Sequence, residues 1–310
     1  MDDRSAVAAS AGRPGERIGG RVNPATFEYR KAGSVDEAIA LLREHGDGAK
    51  LLAGGHSLLP VLKLRLAQPA VLVDLGGLAE LRGVREDGDR LRIGALTTHH
   101  AVAIDPLLTA RCPVLAETAG MVGDRQVRNR GTIGGALAHG DAAADYPAAI
   151  LALEAELVAR GGDGERTIPA AGFFLGFLTT ALAQDEVLTE IRVPAAPPRT
   201  GMSYQKLANQ ASGYATVGVA AVVTLDAEGR CARVRVGITG AGSSATRAAA
   251  VESALVGAVP DAAAVAAAAV QAGAGLDLLD DIHAAADYRL RVTQGLTRRA
   301  LLAAVERARA

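Results

Sequence analysis

Two glycine-rich clusters are the part of this sequence that could bind a ligand through the backbone. The first is AGGHS, residues 53–57, and the second is GTIGG, residues 131–135. Each cluster stands where a predicted extended segment meets a turn, so each could present successive backbone N–H groups to an anion. Because Ser57 and Thr132 would add hydroxyl groups, the two clusters together predict a site for a diphosphate.

For either cluster taken alone, a tight turn with a capping serine or threonine is the favoured explanation, and the presence of two clusters weakens it. Neither cluster is followed by Gly-Lys-Ser/Thr, and neither reads Gly-x-Gly-x-x-Gly at the start of a helix. The sequence also lacks a Gly-x-Ser-x-Gly elbow around a nucleophilic serine. Ordinary ATPases, Rossmann dehydrogenases and serine hydrolases are therefore disfavoured.

Three ionisable residues follow the second cluster in the run HGDAAADYP. His139, Asp141 and Asp145 have the residue types of metal ligands or of acid and base catalysts. Asp145 also stands two residues before Pro147 at the head of an apolar run, which is typical of a helix cap. The residues leave both interpretations open.

Four further side chains are expected to have structural roles. A helix is predicted to start at Thr98, which would place His99 and His100 on its surface. Lys206 has the pattern of a surface cation with a partly buried stem, and Tyr214 that of a strand aromatic in the core. By residue type alone, none of the four indicates a ligand.

Composition limits the class of protein. The chain has 310 residues, of which 49% are hydrophobic, so it can form two or more packed units. Its formal net charge of -1 gives no basic footprint for nucleic acid. Cys112 and Cys231 lie far apart, which argues against a disulfide framework, a zinc knuckle or an iron–sulfur cluster held by this chain. A reducing cytoplasm fits this cysteine usage.

Hydropathy and the positions of glycine and proline divide the chain into segments. Residues 1–20 lack the apolar core of a signal peptide and are predicted to be a mobile tail, and the sequence has no membrane-spanning run. From Phe27 to Leu75 the pattern predicts a parallel β-α-β unit whose helix lies between Ser34 and Gly46. A predicted strand ends at Pro194, the run PAAPPRTG reads as a linker, and a hairpin and three helical stretches follow.

Four segments carry a resemblance to a known family. They are AGGHSLLP, QVRNRGTIGGALAHGDAAADYPAAILAL, YQKLANQASGYATVGVAAVV and ADYRLRVTQGLTRRALLAA, in this order. The chain resembles the FAD-binding subunits of molybdenum hydroxylases from about Pro24 to its C-terminus. Within that family it is most similar to the medium subunits of aerobic carbon monoxide dehydrogenases.

The resemblance implies an α+β fold in two domains. The first is an FAD-binding domain of the vanillyl-alcohol-oxidase (PCMH) type, residues 21–198, with subdomains at about 21–78 and 79–198. The second, residues 199–310, is expected to hold a three-stranded antiparallel sheet and a helical bundle. The predicted linker near Pro194 to Thr200 fits this boundary.

The resemblance also implies FAD as the cofactor and assigns residues to it. Two loops are expected to hold the pyrophosphate, Asp145 is expected on the flavin or ribityl side, and three residues are expected near the isoalloxazine ring. The loops comprise Ala53, Gly54, Gly55, His56 and Ser57, and Thr132, Ile133, Gly134, Gly135 and Ala136; the ring residues are Leu188, Lys206 and Tyr214. Many relatives carry Asn or Asp where this chain has Ala136, so only the backbone could act there.

The implied function is electron transfer in a larger complex. The resemblance predicts a large partner with a molybdenum cofactor, a small partner with two [2Fe-2S] clusters, a dimer of heterotrimers (a heterohexamer), and an external acceptor such as a quinone. It places the chain in the cytoplasm, associated with the inner face of the membrane through its partners. The alternatives are a medium subunit of a nicotine, caffeine, aldehyde or xanthine-type dehydrogenase, a cofactor-free scaffold subunit, or a self-contained flavin oxidase.

Overall fold

A computed structural model describes residues 23–310 of the chain. The predicted mobile tail, residues 1–20, lies outside these described residues. Three packed units follow one another along the chain, each built on its own sheet of three to five strands. None of the helices in the described part is long and apolar enough to cross a membrane.

The first unit is a small parallel sheet with two helices. Its elements are β1 (Glu28–Lys31), α1 (Val35–His45), β2 (Ala49–Leu52), α2 (Leu58–Lys63) and β3 (Val71–Asp74). The strand order is β1-β3-β2 and both pairs are parallel, which confirms the predicted β-α-β unit. Helix α1 begins at the predicted cap, because the Ser34 hydroxyl accepts a hydrogen bond from the Glu37 N–H at 3.1 Å.

The second unit is a five-stranded antiparallel sheet covered by six helices. The order β4-β5-β10-β6-β7 puts the predicted apolar strand β10 at the centre of the sheet. Its elements are β4 (Val84–Asp87), β5 (Arg90–Gly94), α3 (His99–Ile104), α4 (Pro106–Arg111), α5 (Pro113–Gly120), α6 (Arg125–Arg130), α7 (Ile133–His139), α8 (Tyr146–Ala152), β6 (Glu156–Gly161), β7 (Gly164–Pro169), β8 (Phe174–Gly176), β9 (Thr179–Thr180) and β10 (Val187–Pro194). Strands β8 and β9 form a separate small hairpin.

The third unit is an antiparallel sheet with three helices. Its elements are β11 (Thr200–Ala208), β12 (Ala215–Leu225), β13 (Cys231–Thr239), β14 (Thr246–Arg247), α9 (Ala249–Leu255), α10 (Ala262–Ala269) and α11 (Ala286–Arg309). The predicted hairpin is β12 and β13. The expected three-stranded sheet is extended by the two-residue strand β14, which pairs with β13.

The sheet of the third unit is buried on both faces. Val219 and Val223 of β12 pack with α9, α10 and α11, whereas Ala220 and Val222 pack into the core of the second unit. This explains why β12 has an almost unbroken apolar sequence rather than an alternating one. On the neighbouring strand, a Cβ at Gly237 would collide with the carbonyl oxygen of Ala148, so only glycine allows α8 to lie so close to the sheet.

A carboxylate at the end of α8 joins the second unit to the third. Glu154 pairs with Arg233, with Arg235 at 2.6 Å and with Arg247 at 3.1 Å. Burial alone would raise the pKa of Glu154, but the hydrogen bonds from Arg233 and Arg235 outweigh it and hold the pKa at about 2, below the ordinary 4.5. The charged form of Glu154 is therefore favoured by folding.

We expect Glu154 to make stability depend on pH at the acid end. A carboxyl group whose pKa is lowered by folding stabilises the protein above its unfolded pKa, and this stabilisation is lost as the pH falls from about 4.5 to about 2. Thermal unfolding followed across that range should show a steeper loss of Tm for the wild type than for Glu154→Gln. Glu228→Gln, at an exposed carboxylate, is the matched control and should behave as the wild type; equal slopes for all three chains would contradict the assignment.

Candidate functional site

The structure brings the two glycine clusters into direct contact. A Cβ at Gly54 would collide with the carbonyl oxygen of Arg130, and one at Gly135 would lie 3.7 Å from the Cβ of Ala53. The first cluster joins β2 to α2, and the second leads into α7. The contact thus fixes the first unit against the second, and the residues that the sequence paired lie side by side.

Two cavities lie at the glycine clusters. One is a cleft of about 420 Å³ lined by both clusters and by Lys50, Leu51 and Leu178. The other, of about 220 Å³, reaches the third unit and is lined by Val122, Asp145 and Tyr214. The two cavities share five lining residues, namely His56, Ser57, His99, Ala136 and His139. The two cavities are therefore adjacent; we call the first the cleft and the second the ring cavity.

The first cluster presents unused backbone donors to this site. The N–H groups of residues 54–58 donate to no other described residue, and all five residues line the cleft. The backbone of Gly55 has φ +77°, a conformation that favours glycine. Consecutive N–H groups of this kind form a nest for anionic oxygens. The loop therefore has the donor set that a phosphate requires.

The second cluster differs from the expectation that it would also expose successive N–H groups. The N–H of Ile133 donates to the carbonyl of Thr97 at 3.0 Å, and that of Gly134 to the carbonyl of Ala95 at 2.8 Å. The N–H of Gly135 donates to the Thr132 hydroxyl at 3.1 Å. The second cluster is thus a capped helix start whose donors are used within the protein. Ile133 itself is fully buried in the core.

A buried ion pair stands beside the ring cavity, which Asp145 lines and Lys206 does not. The Lys206 Nζ lies 2.8 Å from Asp145 Oδ1, and the two side chains are 3% and 5% exposed. The Tyr204 hydroxyl donates to the same oxygen at 2.6 Å. Burial raises the pKa of Asp145, and the neighbouring Lys206 and Tyr204 offset only part of that rise. The expectation of a surface cation at Lys206 is wrong, and Asp145 makes no capping hydrogen bond to α8.

The same lysine anchors the loop that carries Tyr214. Lys206 Nζ donates to the carbonyl of Gly213 at 2.6 Å and to that of Met121 at 3.0 Å. Tyr214 is 38% exposed and lines the ring cavity, so the expectation of a core aromatic is wrong. The third unit thereby supplies one aromatic wall to a site built by the first two.

One residue that the resemblance placed near the isoalloxazine ring, Leu188, lies in the core of the second unit. Leu188 is 6% exposed, pairs with Ala159 in the central sheet and lines neither the cleft nor the ring cavity. Conversely, Val122 and Val127 line the ring cavity, although an apolar residue at a helix end gives no sequence signal for a ligand. Which residues line the site is decided by how the three units pack.

His99 is enclosed by the protein, where the sequence predicted a surface position. It begins α3 as predicted, but its side chain is only 4% exposed, and it lines both the cleft and the ring cavity. Its Nδ1 lies 3.0 Å from the Tyr146 hydroxyl. Burial, followed by the nearby His56 and Arg128, lowers its pKa to about 4. His99 is therefore a neutral, buried residue at the site rather than a surface histidine.

His139 and Asp141 also line the ring cavity, which supports a ligand-facing position for both. Within residues 23–310, no group of three or more His, Cys, Asp or Glu side chains is arranged to hold a metal ion. The described site thus consists of backbone donors, one buried ion pair, histidines and an aromatic wall.

A row of unused backbone donors beside a cleft and an adjoining cavity suits a phosphate-bearing cofactor, and comparison with known proteins identifies the family. Residues 25–196 match the family model for the FAD binding domain in molybdopterin dehydrogenase, and residues 202–304 match the CO dehydrogenase flavoprotein C-terminal domain. The chain belongs to the FAD-binding medium subunits of the molybdenum hydroxylases. It is an oxidoreductase subunit whose cofactor is FAD, and its fold is of the predicted type.

Individual relatives align over nearly their full length. The carbon monoxide dehydrogenase medium chain of Hydrogenophaga pseudoflava is 45% identical, covering 91% of this chain and 98% of its own. The nicotine 6-hydroxylase medium subunit of Paenarthrobacter nicotinovorans is 37% identical over 90% and 97% of the two chains. A solved structure of carbon monoxide dehydrogenase from Hydrogenophaga pseudoflava, lacking the Mo-pyranopterin moiety of its cofactor, matches with a TM-score of 0.89, 46% identity and coverage of 92% and 99%.

The first prediction from this geometry concerns Gly54. Replacing it with valine should force the two glycine loops apart, because its side chain would meet the Arg130 carbonyl. We expect FAD affinity to fall at least about tenfold, the effect of losing one charge-assisted hydrogen bond. Gly135→Val should act in the same direction, since its side chain would displace the Thr132 hydroxyl from its cap.

Flavin released per chain on denaturation measures the effect. Gly172→Ala, at a glycine with open space around it, is the matched control and should keep its FAD. Circular dichroism checks that each variant is folded. A folded Gly54→Val chain with full flavin content would show that the loop contact does not shape the cofactor site.

A second prediction concerns the buried ion pair. Lys206→Met removes the cation but leaves Asp145 buried, so the free energy of unfolding should fall by about 3–5 kcal/mol. The double variant Lys206→Met/Asp145→Asn should be more stable than Lys206→Met, because it buries no uncompensated charge. Urea denaturation measures both; strictly additive losses would exclude a coupled pair.

Proposed function

We propose that this chain is the electron outlet of a three-subunit molybdenum hydroxylase. It takes electrons from the [2Fe-2S] clusters of a small partner, after substrate oxidation at the molybdenum cofactor of a large partner, and passes them to an external acceptor such as a quinone. Membership of the medium-subunit family supports this role. In the described part of the chain, Cys112 and Cys231 are both buried and unbridged, which fits clusters carried by another subunit.

The observation that carries the proposal is the row of five unused N–H donors at residues 54–58, in a loop that lines the cleft beside the ring cavity. These donors would hold the pyrophosphate, and Thr132 would keep the second loop in place beside them. When bound, FAD supplies the redox chemistry and can exchange electrons with both a cluster and an organic acceptor. Ala136 lines both cavities and would face the cofactor through its backbone.

Side chains at the ring cavity would orient the cofactor and set its electrostatic surroundings. Tyr214 and Val122 offer an aromatic and an apolar surface for a planar ring. Asp145 and Lys206 would place a fixed dipole beside it, since each is held by hydrogen bonds to more than one element. Fixed dipoles and hydrogen bonds near a bound cofactor are the means by which a protein tunes its potential.

The substrate of the complex is inferred to be carbon monoxide. Support comes from the 45% identity to the medium chain of a carbon monoxide dehydrogenase, against 37% for the medium subunit of nicotine 6-hydroxylase. This subunit does not bind the substrate, so the large partner decides between carbon monoxide and the alternatives. Intact glycine loops speak against a cofactor-free scaffold.

We also infer the division of the chain and its assembly. The boundary near residue 198 is supported by the stretch between β10 and β11, and the subdomain boundary near residue 78 by the passage from the first sheet to the second. A dimer of heterotrimers is the assembly expected from the family resemblance. The location in the cytoplasm, at the inner face of the membrane, stays a prediction.

The test compares the assembled complex with a form that lacks flavin. The wild-type chain is produced with its molybdenum and iron–sulfur partners, and the complex is measured with its flavin and after the flavin has been removed. Carbon monoxide should reduce the clusters in both complexes, measured by electron paramagnetic resonance. Reduction of a soluble quinone analogue should be lost only in the flavin-depleted complex.

Two outcomes would overturn the proposal. Quinone reduction at the wild-type rate without flavin would place the outlet on another subunit. Cluster reduction by an N-heterocycle or an aldehyde, but not by carbon monoxide, would replace the substrate and leave the electron-outlet role intact.

A further inference from the structure

His99 lies where the cleft and the ring cavity meet. It lines both cavities although it is 4% exposed, and an ideal Cβ at Gly131 would lie only 2.5 Å from its Nε2. The imidazole is thus packed against the start of the second glycine cluster. A ligand that extends from the cleft into the ring cavity has to pass this side chain.

The tautomer of His99 follows from its neighbour. The Tyr146 hydroxyl is fully buried, and within the described residues its only polar partner is His99 Nδ1, at 3.0 Å. Nδ1 is the one acceptor that the described residues offer to this hydroxyl, so we assign Tyr146 as the donor and Nδ1 as the acceptor. A neutral imidazole carries one proton, which must then be on Nε2. Burial keeps the ring neutral, because it lowers the pKa of His99 to about 4.

The Nε2–H is a donor that still needs an acceptor. Nε2 makes no hydrogen bond within the described part of the chain. It is not fully buried either, so a ligand can still reach it. Since the rest of the ring is enclosed, its remaining accessible surface faces the two cavities. A donor on a rigid, nearly buried ring is already oriented before a ligand arrives.

We propose that His99 is an FAD-binding residue, whose Nε2–H donates a hydrogen bond to an oxygen of the chain that links the flavin ring to the adenosine. Pyrophosphate and ribityl oxygens are both acceptors of this chemistry. Tyr146 is the positioning residue that fixes the donor tautomer. The inference rests on the proposed location of FAD across the cleft and the ring cavity.

The Nε2–H adds a side-chain donor to the backbone nest, at a place where the second cluster has few free donors. It explains why residue 131 is a glycine, since any side chain there would displace the imidazole. It also explains why a polar pair, His99 and Tyr146, is retained inside an otherwise apolar core.

The test is an FAD titration of the complex after its flavin has been removed. His99→Leu should raise the Kd for FAD about tenfold to a hundredfold, the effect of losing one hydrogen bond to a charged acceptor. His99→Gln should recover part of this loss, because its amide also offers an N–H donor. His100→Leu, at the exposed neighbour on the same helix, is the matched control and should bind FAD as the wild type does.

A second measurement separates positioning from general stability. Nitrogen NMR of the histidine-labelled chain should show His99 as the Nε2–H tautomer in the wild type and as a mixture of tautomers in Tyr146→Phe. That variant should also bind FAD more weakly than the wild type but more tightly than His99→Leu.

The outcomes distinguish this inference from the proposed function. A wild-type complex that takes up no FAD at all would refute the proposed function. Uptake by the wild type with an unchanged Kd in a folded His99→Leu complex would refute the role of His99 alone. A proton on Nδ1 in the wild type would equally refute it, because the donor would then point at Tyr146.

Discussion

The site depends on a contact between two stretches of backbone. Gly54 and the Arg130 carbonyl touch with no side chain between them, and through this contact the parallel sheet of the first unit meets the antiparallel sheet of the second. A side chain at Gly54 would widen the gap and move the unused N–H groups of residues 54–58 away from Thr132. The cleft, the ring cavity and the position of His99 all follow from how closely these loops approach.

The third unit is held to the second by polar groups in an apolar interface. Lys206 and Asp145 are nearly fully buried, and two hydrogen bonds to backbone carbonyls satisfy further protons of the ammonium group. Ion pairs of this kind contribute little net stability, because removing two charges from water costs about what their attraction returns. Their effect is geometric: Lys206 fixes the loop that carries Tyr214 above the ring cavity.

Neutral donors are as prominent as charges at the site. A phosphate held only by arginine or lysine would add large charges beside a redox cofactor, whereas backbone N–H groups and a neutral imidazole bind oxygen atoms without doing so. The low pKa of His99 comes first from burial, and the adjacent His56 and Arg128 lower it further. The enclosure of His99 and the internal bonding of the second cluster have the same origin, because His99 packs against Gly131 at the tightly packed start of α7.

Features that depend on neighbouring residues along the chain, such as caps and turns, can be predicted from the sequence. The Ser34 cap of α1, the hairpin of β12 and β13 and the two glycine clusters could all be predicted, and the resemblance carried by four segments indicated FAD. The tertiary structure decided which side chains face the ligand: Leu188 lies in the core, Tyr214 is exposed, and His99 is enclosed. The physical reason is sequence distance, since His99 meets Tyr146 across 47 positions and Lys206 meets Asp145 across 61. Local periodicity and capping depend on nearby residues only. They cannot predict whether a side chain is buried, or which distant residue it contacts, when the packing of separate units decides both.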